Sequence, residues 1–203
     1  ETRATSSREW QIVSGIRSSA LLNEVEALAK PADDRVELFN PGDQPVSLEG
    51  WHLSDNPSNP TKIALSGSLL PGTYLTLAGD EVPSLSPSGD ELLLYHDGNL
   101  VDSIRWGSQA PGYSLGRHGH QREWKLCLPT PGHINQSTGL TPPRQLRINE
   151  WLTEAGLRYT EDFVELFNPG DSPLDVSGVW FSNRPDCPRR HQIVSHSYIP
   201  PRG

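Results

Sequence analysis

Short stretches of alternating apolar and polar residues, each closed by a turn signal, recur along this chain. In "RVELFN", Val36 and Leu38 fall on one face of a strand, because strand side chains alternate with a period of two. Glu37 and Phe39 fall on the other face. "NPGD" then interrupts the alternation, and "PVSLEGWHLSD" resumes it, with Gly50 as a predicted bulge. The pattern predicts a strand–turn–strand unit.

The turn in this unit has its own chemistry. Pro41 fixes φ near about −65° and Gly42 accepts a positive φ, which suits the two central positions of a type II turn. Asn40 precedes a proline, so we expect extended backbone there and a side chain that bonds nearby backbone groups.

The eight letters "VELFNPGD" at 36–43 return at 164–171. Without gaps, 12 of 22 positions are identical between 36–57 and 164–185, which indicates an internal repeat. Upstream, "NEVEAL" at 23–28 corresponds to "NEWLTE" at 149–154. We interpret the repeated polar positions as structural residues of the turn: Glu37, Asn40, Pro41, Gly42 and Asp43, and in the second copy Glu165, Asn168, Pro169, Gly170 and Asp171.

Further strands follow to the end of the first copy. The clearest hairpin is "DELLLYHDGNLVDSIRW", which turns at Asp97-Gly98. About eight short strands separated by turns predict an all-β fold, an antiparallel β-sandwich. "LLNEVEALAK" has some helical character, but its counterpart "LRINEWLTE" favours a strand.

The repeat divides the chain into four predicted parts. They are an N-terminal extension or the end of a preceding module (1–19), a first β-sandwich (20–135), a linker rich in Pro, Gly, Ser and Thr (136–145) and the N-terminal half of a second copy (146–203). Half a sandwich exposes an apolar face and unpaired strand edges. We therefore expect strand donation to complete it, from a downstream segment or another chain. "REWQIVSGI" at 8–16, which echoes "REWKLCL" at 122–128, is one candidate donor.

Composition narrows the class of protein. The chain has 18 Gly, 19 Pro and no Met, which suits many strands joined by turns better than helices. A net charge of −8 argues against a polyanion as the main partner. No apolar run approaches the roughly 20 residues of a membrane span. Because the chain opens at Glu1 without a signal-like stretch, we expect it to be a piece of a longer protein.

The combination of "VELFNPGD", "PVSLEGWHLSDNPSNPTK", "LPGTYLTLAGD", "DELLLYHDGNLVDSIRW" and "GYSLGR" resembles the lamin tail domain family. It is more similar to the bacterial secreted and surface members, through "SNPTK" and "SLGR". The likeness covers almost all of 20–135 and restarts at about 146. The resemblance implies an immunoglobulin-like β-sandwich in tandem, without catalytic residues or a cofactor.

The resemblance also frames the expected function. It implies a non-catalytic interaction or scaffolding module of a larger exported or surface-associated bacterial protein, which binds protein or surface partners. The expected location is extracellular, periplasmic or at the cell surface. The alternative is an accessory nucleic-acid-binding or substrate-targeting domain attached to an enzyme elsewhere in the full chain.

Local basic clusters support that alternative, since nucleic-acid surfaces combine positive charge with aromatic side chains. The acidic total and several acidic segments oppose it. The predicted basic contact patch consists of Arg117, His118, His120, Arg122, Lys125, Arg184, Arg189 and Arg190.

Metal and catalytic sites find little support in the sequence. His118 and His120 lack a third donor at a suitable spacing, so we predict no metal there. Asp55, Asn56 and Asn59 lack the dense carboxylates of a calcium loop, and we interpret them as a turn. No serine has a nucleophile context such as "GxSxG", so we predict no catalytic site.

The two cysteines leave two alternatives open. Cys127 lies in the last predicted strand of the first copy and Cys187 in a loop of the second. An oxidising compartment would allow a disulfide between the copies. Otherwise both thiols are free, with Cys127 buried.

Overall fold

Strands and turns account for nearly all of this structure. The computed structural model describes residues 20–28, 30, 33–119, 122–153 and 162–203. Within them, the only regular elements other than β-strands are short 3-10 turns, two of them at Gly79–Glu81 and Pro143–Gln145. The prediction of an all-β protein is confirmed.

In the described residues, twelve strands belong to the first copy, more than the roughly eight predicted, because several contain only two residues. They are β1 Leu21–Glu26, β2 Arg35–Phe39, β3 Val46–Ser47, β4 Trp51–Ser54, β5 Ile63–Ala64, β6 Ser68–Leu69, β7 Tyr74–Ala78, β8 Asp90–His96, β9 Asn99–Trp106, β10 Ser114–His118, β11 Glu123–Leu128 and β12 Gln136–Ser137. The second copy contributes β13 Arg147–Leu152, β14 Phe163–Phe167, β15 Leu174–Asp175, β16 Trp180–Phe181, β17 His191–Gln192 and β18 Tyr198–Ile199.

The first copy is a sandwich of antiparallel sheets. A six-stranded sheet has the order β12-β11-β10-β1-β2-β7, and a four-stranded sheet has the order β5-β4-β8-β9. The pair β3-β6 stands beside them. Apolar side chains of both sheets bury fully between the layers, as alternation requires: Leu22, Val36, Leu38, Leu53, Leu92 and Leu94. The predicted antiparallel, immunoglobulin-like sandwich is confirmed.

The hairpin of β8 and β9 turns at Asp97-Gly98, as predicted. Both residues have positive φ, 48° and 76°, which is the signature of a type I′ turn. The predicted bulge at Gly50 is wrong. Gly50 lies in a turn with φ of 79°, and a Cβ there would come within 2.5 Å of Asp97 Oδ1. The irregularity falls in β1 instead, between Leu22 and Glu24.

The second copy repeats the local pairings of the first. Strands β13 and β14 pair antiparallel with a register shift between Ile148 and Glu150, as β1 and β2 do between Leu22 and Glu24. The pairs β15-β18 and β16-β17 stand where β3-β6 and β4-β5 stand in the first copy. The interpretation of "LRINEWLTE" as a strand is confirmed for Arg147–Leu152.

Residues of the predicted linker 136–145 pair with both copies. Gln136–Ser137 is strand β12 of the first sheet and pairs with β11. Thr141 is buried, forms a parallel bridge with Leu174, and donates its hydroxyl to the Ser172 carbonyl at 2.7 Å. The predicted extension at 1–19, including "REWQIVSGI", lies outside the described residues.

Tyr198 joins the second copy to the first. Its side chain is buried in the hydrophobic core of the first sandwich, and its backbone N–H donates to the Ser108 carbonyl at 2.7 Å. Beside it, Gln109 Nε2 donates to the His196 carbonyl, also at 2.7 Å. In strand pairing Tyr198 takes the position of Ser68, so this contact arises where the two copies differ.

Candidate functional site

The side chain of Asn40 holds the repeated turn together. Its Oδ1 accepts the Gly42 N–H at 2.9 Å, and its Nδ2 donates to the carbonyls of Gln44 and Leu69 at 2.8 and 2.9 Å. Asn40 is fully buried, so these bonds are shielded from water. One side chain thus closes the turn and ties it to β6.

Asn168 makes corresponding bonds in the second copy. Its Oδ1 accepts the Gly170 N–H at 3.0 Å, and its Nδ2 donates to the carbonyls of Ser172 at 2.8 Å, Pro200 at 2.9 Å and Ile199, the counterpart of Leu69, at 3.3 Å. Asn168 is also fully buried.

The prediction of a type II turn is wrong in both copies. Neither Gly42 nor Gly170 has a positive φ. The asparagine carboxamide closes the turn instead, an Asx turn, so the glycine does not need left-handed backbone. A glycine is required at position 170 for steric reasons, because a Cβ there would lie 2.1 Å from Thr141 Oγ1. Of the neighbouring turn residues, Pro41, Asp43 and Asp171 are exposed, and Pro169 is half-buried.

The outer face of the large sheet buries a cluster of carboxylates. Glu37 is buried and accepts bonds from Asn23 Nδ2 at 2.8 Å, from Thr76 Oγ1 at 3.0 Å and from the Gly132 N–H. The loop at 130–132 covers this face, so Glu37 is buried although it lies on the face opposite the apolar residues of β2.

Glu24 lies directly opposite Glu37 on β1. It accepts the Ser114 hydroxyl at 2.6 Å and the Thr130 N–H at 3.1 Å. Burial, and then the nearby carboxylates of Glu37 and Glu26, raise the pKa of Glu24 despite these bonds. The sequence analysis missed Glu24; its signal is the Asn-Glu pair that recurs at 149–150.

This cluster has no room for a ligand. The crevice among Glu24, Glu26, Glu37 and their neighbours has a volume of about 10 Å³, the space of a single water. Within the described ranges, no group of three or more His, Cys, Asp or Glu side chains is placed to hold a metal ion. The carboxylates therefore serve the fold, as acceptors for loops that close the sandwich.

The equivalent carboxylates of the second copy lack this cover. Asn149 Nδ2 donates to Glu165 as Asn23 does to Glu37. Glu165 and Glu150 are nevertheless exposed. In the described part of the chain nothing stands where Thr76, Ser114 and the 130–132 loop stand in the first copy.

Apolar side chains of β13 and β14 are exposed at positions that the first copy buries. Ile148 is 61% exposed and its counterpart Leu22 is 0% exposed; Trp151 is 67% exposed and Val25 is 2% exposed. Val164 is 52% exposed and Val36 is 0% exposed. We call these three exposed residues, Ile148, Trp151 and Val164, the open face. Contiguous exposed apolar surface marks interaction sites.

Within the predicted basic patch, Arg117 differs from a free surface cation because its guanidinium is paired. Arg117 is bound inside the first copy, to both oxygens of Asp102 at 2.7 and 3.0 Å and to the Leu22 carbonyl at 2.8 Å, with its guanidinium over Trp124. Asp102 in turn accepts the Leu22 N–H. Asp102 on β9 and Arg117 on β10 thus bind the backbone of Leu22, where the register of β1 shifts. No feature of the sequence indicated this ion pair.

His118, Arg122 and Lys125 lie near Arg117, on or beside the hairpin of β10 and β11. Arg122 lies over the Phe39 ring, and burial, then the Arg117 charge, lowers the pKa of its guanidinium. His118 approaches Ser137, and Lys125 pairs with Glu123. His120 lies outside the described residues. The remaining members of the predicted patch are exposed side chains of the second copy: Arg184, Arg189 and Arg190. Among the described residues, no hydrogen bond, ion pair or ring contact joins them to the basic side chains of the first copy.

The asparagine-rich loop after β4 behaves as a turn. Asp55 is bound by Lys62 Nζ at 2.7 Å through both oxygens, so an amino group already occupies the position a cation would take. Asn56 Oδ1 accepts the Ser58 N–H. The Ser54 hydroxyl closes this turn as Ser182 closes its counterpart.

The two cysteines are not bonded to each other. Cys127 is buried and Cys187 is exposed, both as free thiols, so the disulfide alternative is not realised here. Burial, and then the Glu24 charge, raises the pKa of Cys127 to about 11.

The comparisons with known proteins bear on the first copy. Residues 17–108 match the family model of the Lamin Tail Domain. The Lamin Tail Domain is an immunoglobulin-like domain, generally a non-catalytic interaction module. The match spans β1 to β9, so the family resemblance is confirmed for that range. No curated protein matches the chain. No solved structure matches it either.

Membrane association through a helix finds no support in the described residues. None of their helices has both the length and the apolar character needed to cross a bilayer.

Replacing Asn40 tests whether its side chain sustains the fold. We expect Asn40→Ala to lower the free energy of unfolding by about 3 kcal/mol, because three hydrogen bonds of a fully buried side chain are lost. Urea denaturation measures this. Asn99→Ala, at an exposed turn asparagine, is the control and should cost under about 1 kcal/mol. Equal losses in both variants would contradict the assignment.

The buried carboxylates predict an unusual pH dependence. Because the folded pKa of Glu24 is raised, its contribution to stability is full below the unfolded pKa, about 4.3, and is lost as pH rises through the folded pKa. Acidification from pH 7 towards pH 5 should therefore raise Tm more in the wild type than in Glu24→Gln, which cannot titrate there. An identical pH response in both proteins would refute this.

The thiols differ in reactivity. In the folded protein we expect a thiol reagent to modify Cys187 at once and Cys127 at least about tenfold more slowly, because reaction needs an accessible thiolate. Denaturation should expose the second thiol. Cys187→Ser is the control and should abolish the fast phase alone. Fewer than two reactive thiols after unfolding without reductant would show a disulfide.

Proposed function

We propose that this chain is a non-catalytic interaction and scaffolding part of a larger bacterial protein that is exported or associated with the cell surface. In it, residues 20–135 form a complete lamin tail domain. Residues 146–203 form the N-terminal half of a second one. Other polypeptide, from the same protein or from another chain, covers that half.

The open face carries this proposal. Ile148, Trp151 and Val164 stand on backbone that repeats the pairing of β1 and β2, including its register shift. In the first copy the same positions form the core. Covering apolar side chains at such positions excludes water and stabilises the complex by roughly 25 cal/mol per Å² of apolar area covered.

Two further observations support a binding role. The matched clamps of Asn40 and Asn168 give both copies the same turn. The contacts of Tyr198 and Gln109 join the second half to the first sandwich. The half-module that carries the open face is therefore anchored to a complete domain. The acidic crevice of the first copy is too small for a substrate.

A hydrophobic dye and sedimentation test the proposal. We expect the wild-type chain to bind the dye and to self-associate at about 100 μM, because exposed apolar residues and strand edges pair between molecules. The variant with Ile148→Ser and Trp151→Ser should lose both properties. Leu70→Ser, at an exposed leucine of the first copy, is the matched control and should keep them.

The opposite result is equally clear. A wild-type chain that stays monomeric at that concentration and binds no dye has no accessible open face, and the proposed function then fails.

A further inference from the structure

The loop between β16 and β17 is closed in the same way as its counterpart between β4 and β5. In the first copy, Ser54 Oγ accepts the N–H two residues ahead at 3.0 Å and lies 2.7 Å from the Asn59 carbonyl oxygen. In the second copy, Ser182 Oγ accepts the N–H two residues ahead at 3.0 Å and lies 2.5 Å from the Cys187 carbonyl oxygen. The flanking strands also pair in the same register. The two loops therefore differ in the side chains that they present.

The difference begins with an ion pair. In the first copy, Lys62 Nζ bonds both carboxylate oxygens of Asp55 at 2.7 Å, so the two charges balance. In the second copy, Asn183 takes the place of Asp55 and Arg190 takes the place of Lys62. The Arg190 guanidinium still donates to Asn183 Oδ1. The hydrogen bond is kept and the negative charge is lost.

Two further positions of the same loop gain positive charge. Arg184 replaces Asn56, and Arg189 replaces Thr61. Asp186 is the one carboxylate in this loop. In the described part of the chain, none of the three guanidinium groups forms an ion pair. Since like charges close together repel each other, the stability of the loop does not explain the arginines.

Residues 183–190, which we call the cationic loop, are at the surface for a reason that does not involve the open face. The corresponding side chains Asn56, Thr61 and Lys62 are exposed in the complete first sandwich. A completed second copy of the same fold therefore keeps the cationic loop exposed. Its availability to a partner does not depend on what covers the rest of that copy.

The charge of the first copy decides between the anionic partners that arginine can bind. A guanidinium forms paired hydrogen bonds with carboxylates and with phosphates. Residues 20–135 contain 7 Lys and Arg against 15 Asp and Glu. A membrane or a nucleic acid extends beyond one loop, and its charge is repelled wherever it comes within about 10 Å of that acidic domain. A short acidic polypeptide can contact the loop alone.

We infer that the cationic loop binds an acidic segment of a partner protein, whose Asp and Glu carboxylates accept hydrogen bonds from Arg184, Arg189 and Arg190. Pro185 and Pro188 fix the backbone φ at two positions of the loop, which lowers the entropy lost on binding. This surface is separate from the open face. The inference thus goes beyond the proposed function and does not require it.

Fluorescein-labelled deca-glutamate is the probe, and its anisotropy on addition of the 203-residue chain measures binding. We expect saturation at one peptide for each chain. Raising NaCl from about 50 to about 200 mM should weaken binding several-fold, because exposed charge pairs are screened. The open-face variant, Ile148→Ser with Trp151→Ser, should bind the peptide as the wild type does.

Exchange of the two loops locates the site. The second loop given the first copy's residues should bind deca-glutamate at least about tenfold more weakly; its substitutions are Asn183→Asp, Arg184→Asn, Arg189→Thr and Arg190→Lys. The reciprocal variant should bind two peptides for each chain; its substitutions are Asp55→Asn, Asn56→Arg, Thr61→Arg and Lys62→Arg. Because the two loops are closed alike, both variants should unfold cooperatively on heating, which calorimetry checks.

Each outcome supports or overturns the inference. Equal binding by the wild type and the first exchange variant, or no second site in the reciprocal variant, would overturn it. Tighter binding of duplex DNA or of phosphatidylglycerol vesicles than of deca-glutamate, at equal concentrations of charge, would show that the partner class is wrong. If the peptide binds as expected but the dye does not, the inference stands and the proposed function fails.

Discussion

The buried carboxamide of Asn40, repeated at Asn168, is the contact on which both copies depend. Each asparagine accepts one backbone N–H of the turn and donates to carbonyls of the turn and of a strand about 30 residues further on. It fixes where the strand after the turn begins, and therefore the register of the sheets beyond. Both copies contain that later strand, β6 in the first and β18 in the second, so both form the clamp. This explains why the second copy keeps the local geometry without a core of its own.

The sequence predicted what short-range chemistry decides. Alternation predicted the strands, the Asp97-Gly98 pair predicted a type I′ hairpin, and the repeat predicted a recurring turn. It misjudged the turn type because Pro-Gly satisfies a type II turn equally well, and the deciding bond comes from the asparagine before it. It did not show that Glu37 is buried, because the loop that covers it, at Gly132, is 95 residues away. The pairing of Arg117 with Asp102 was hidden for the same reason, since it depends on how two sheets face each other.

Long-range cover is what distinguishes the two copies. In the first, loops and neighbouring strands bring hydroxyl and amide donors to Glu24 and Glu37, which offsets the repulsion of two facing carboxylates. In the second, the same carboxylates remain in water, where their charge costs little. A charged residue at such a position thus favours the uncovered state unless the covering chain carries donors.

The remaining question is why the second half stays in place while its apolar face is open. The strand positions of Ser68 and Tyr198 correspond, and the tyrosine alone enters a core, that of the first sandwich. Burial raises the pKa of its hydroxyl, which lies beside the backbone of Leu126 and the Cys127 thiol. Thr141 adds a bond from the connecting segment. The half-module therefore takes its stability from the neighbouring core and from its own turn clamp.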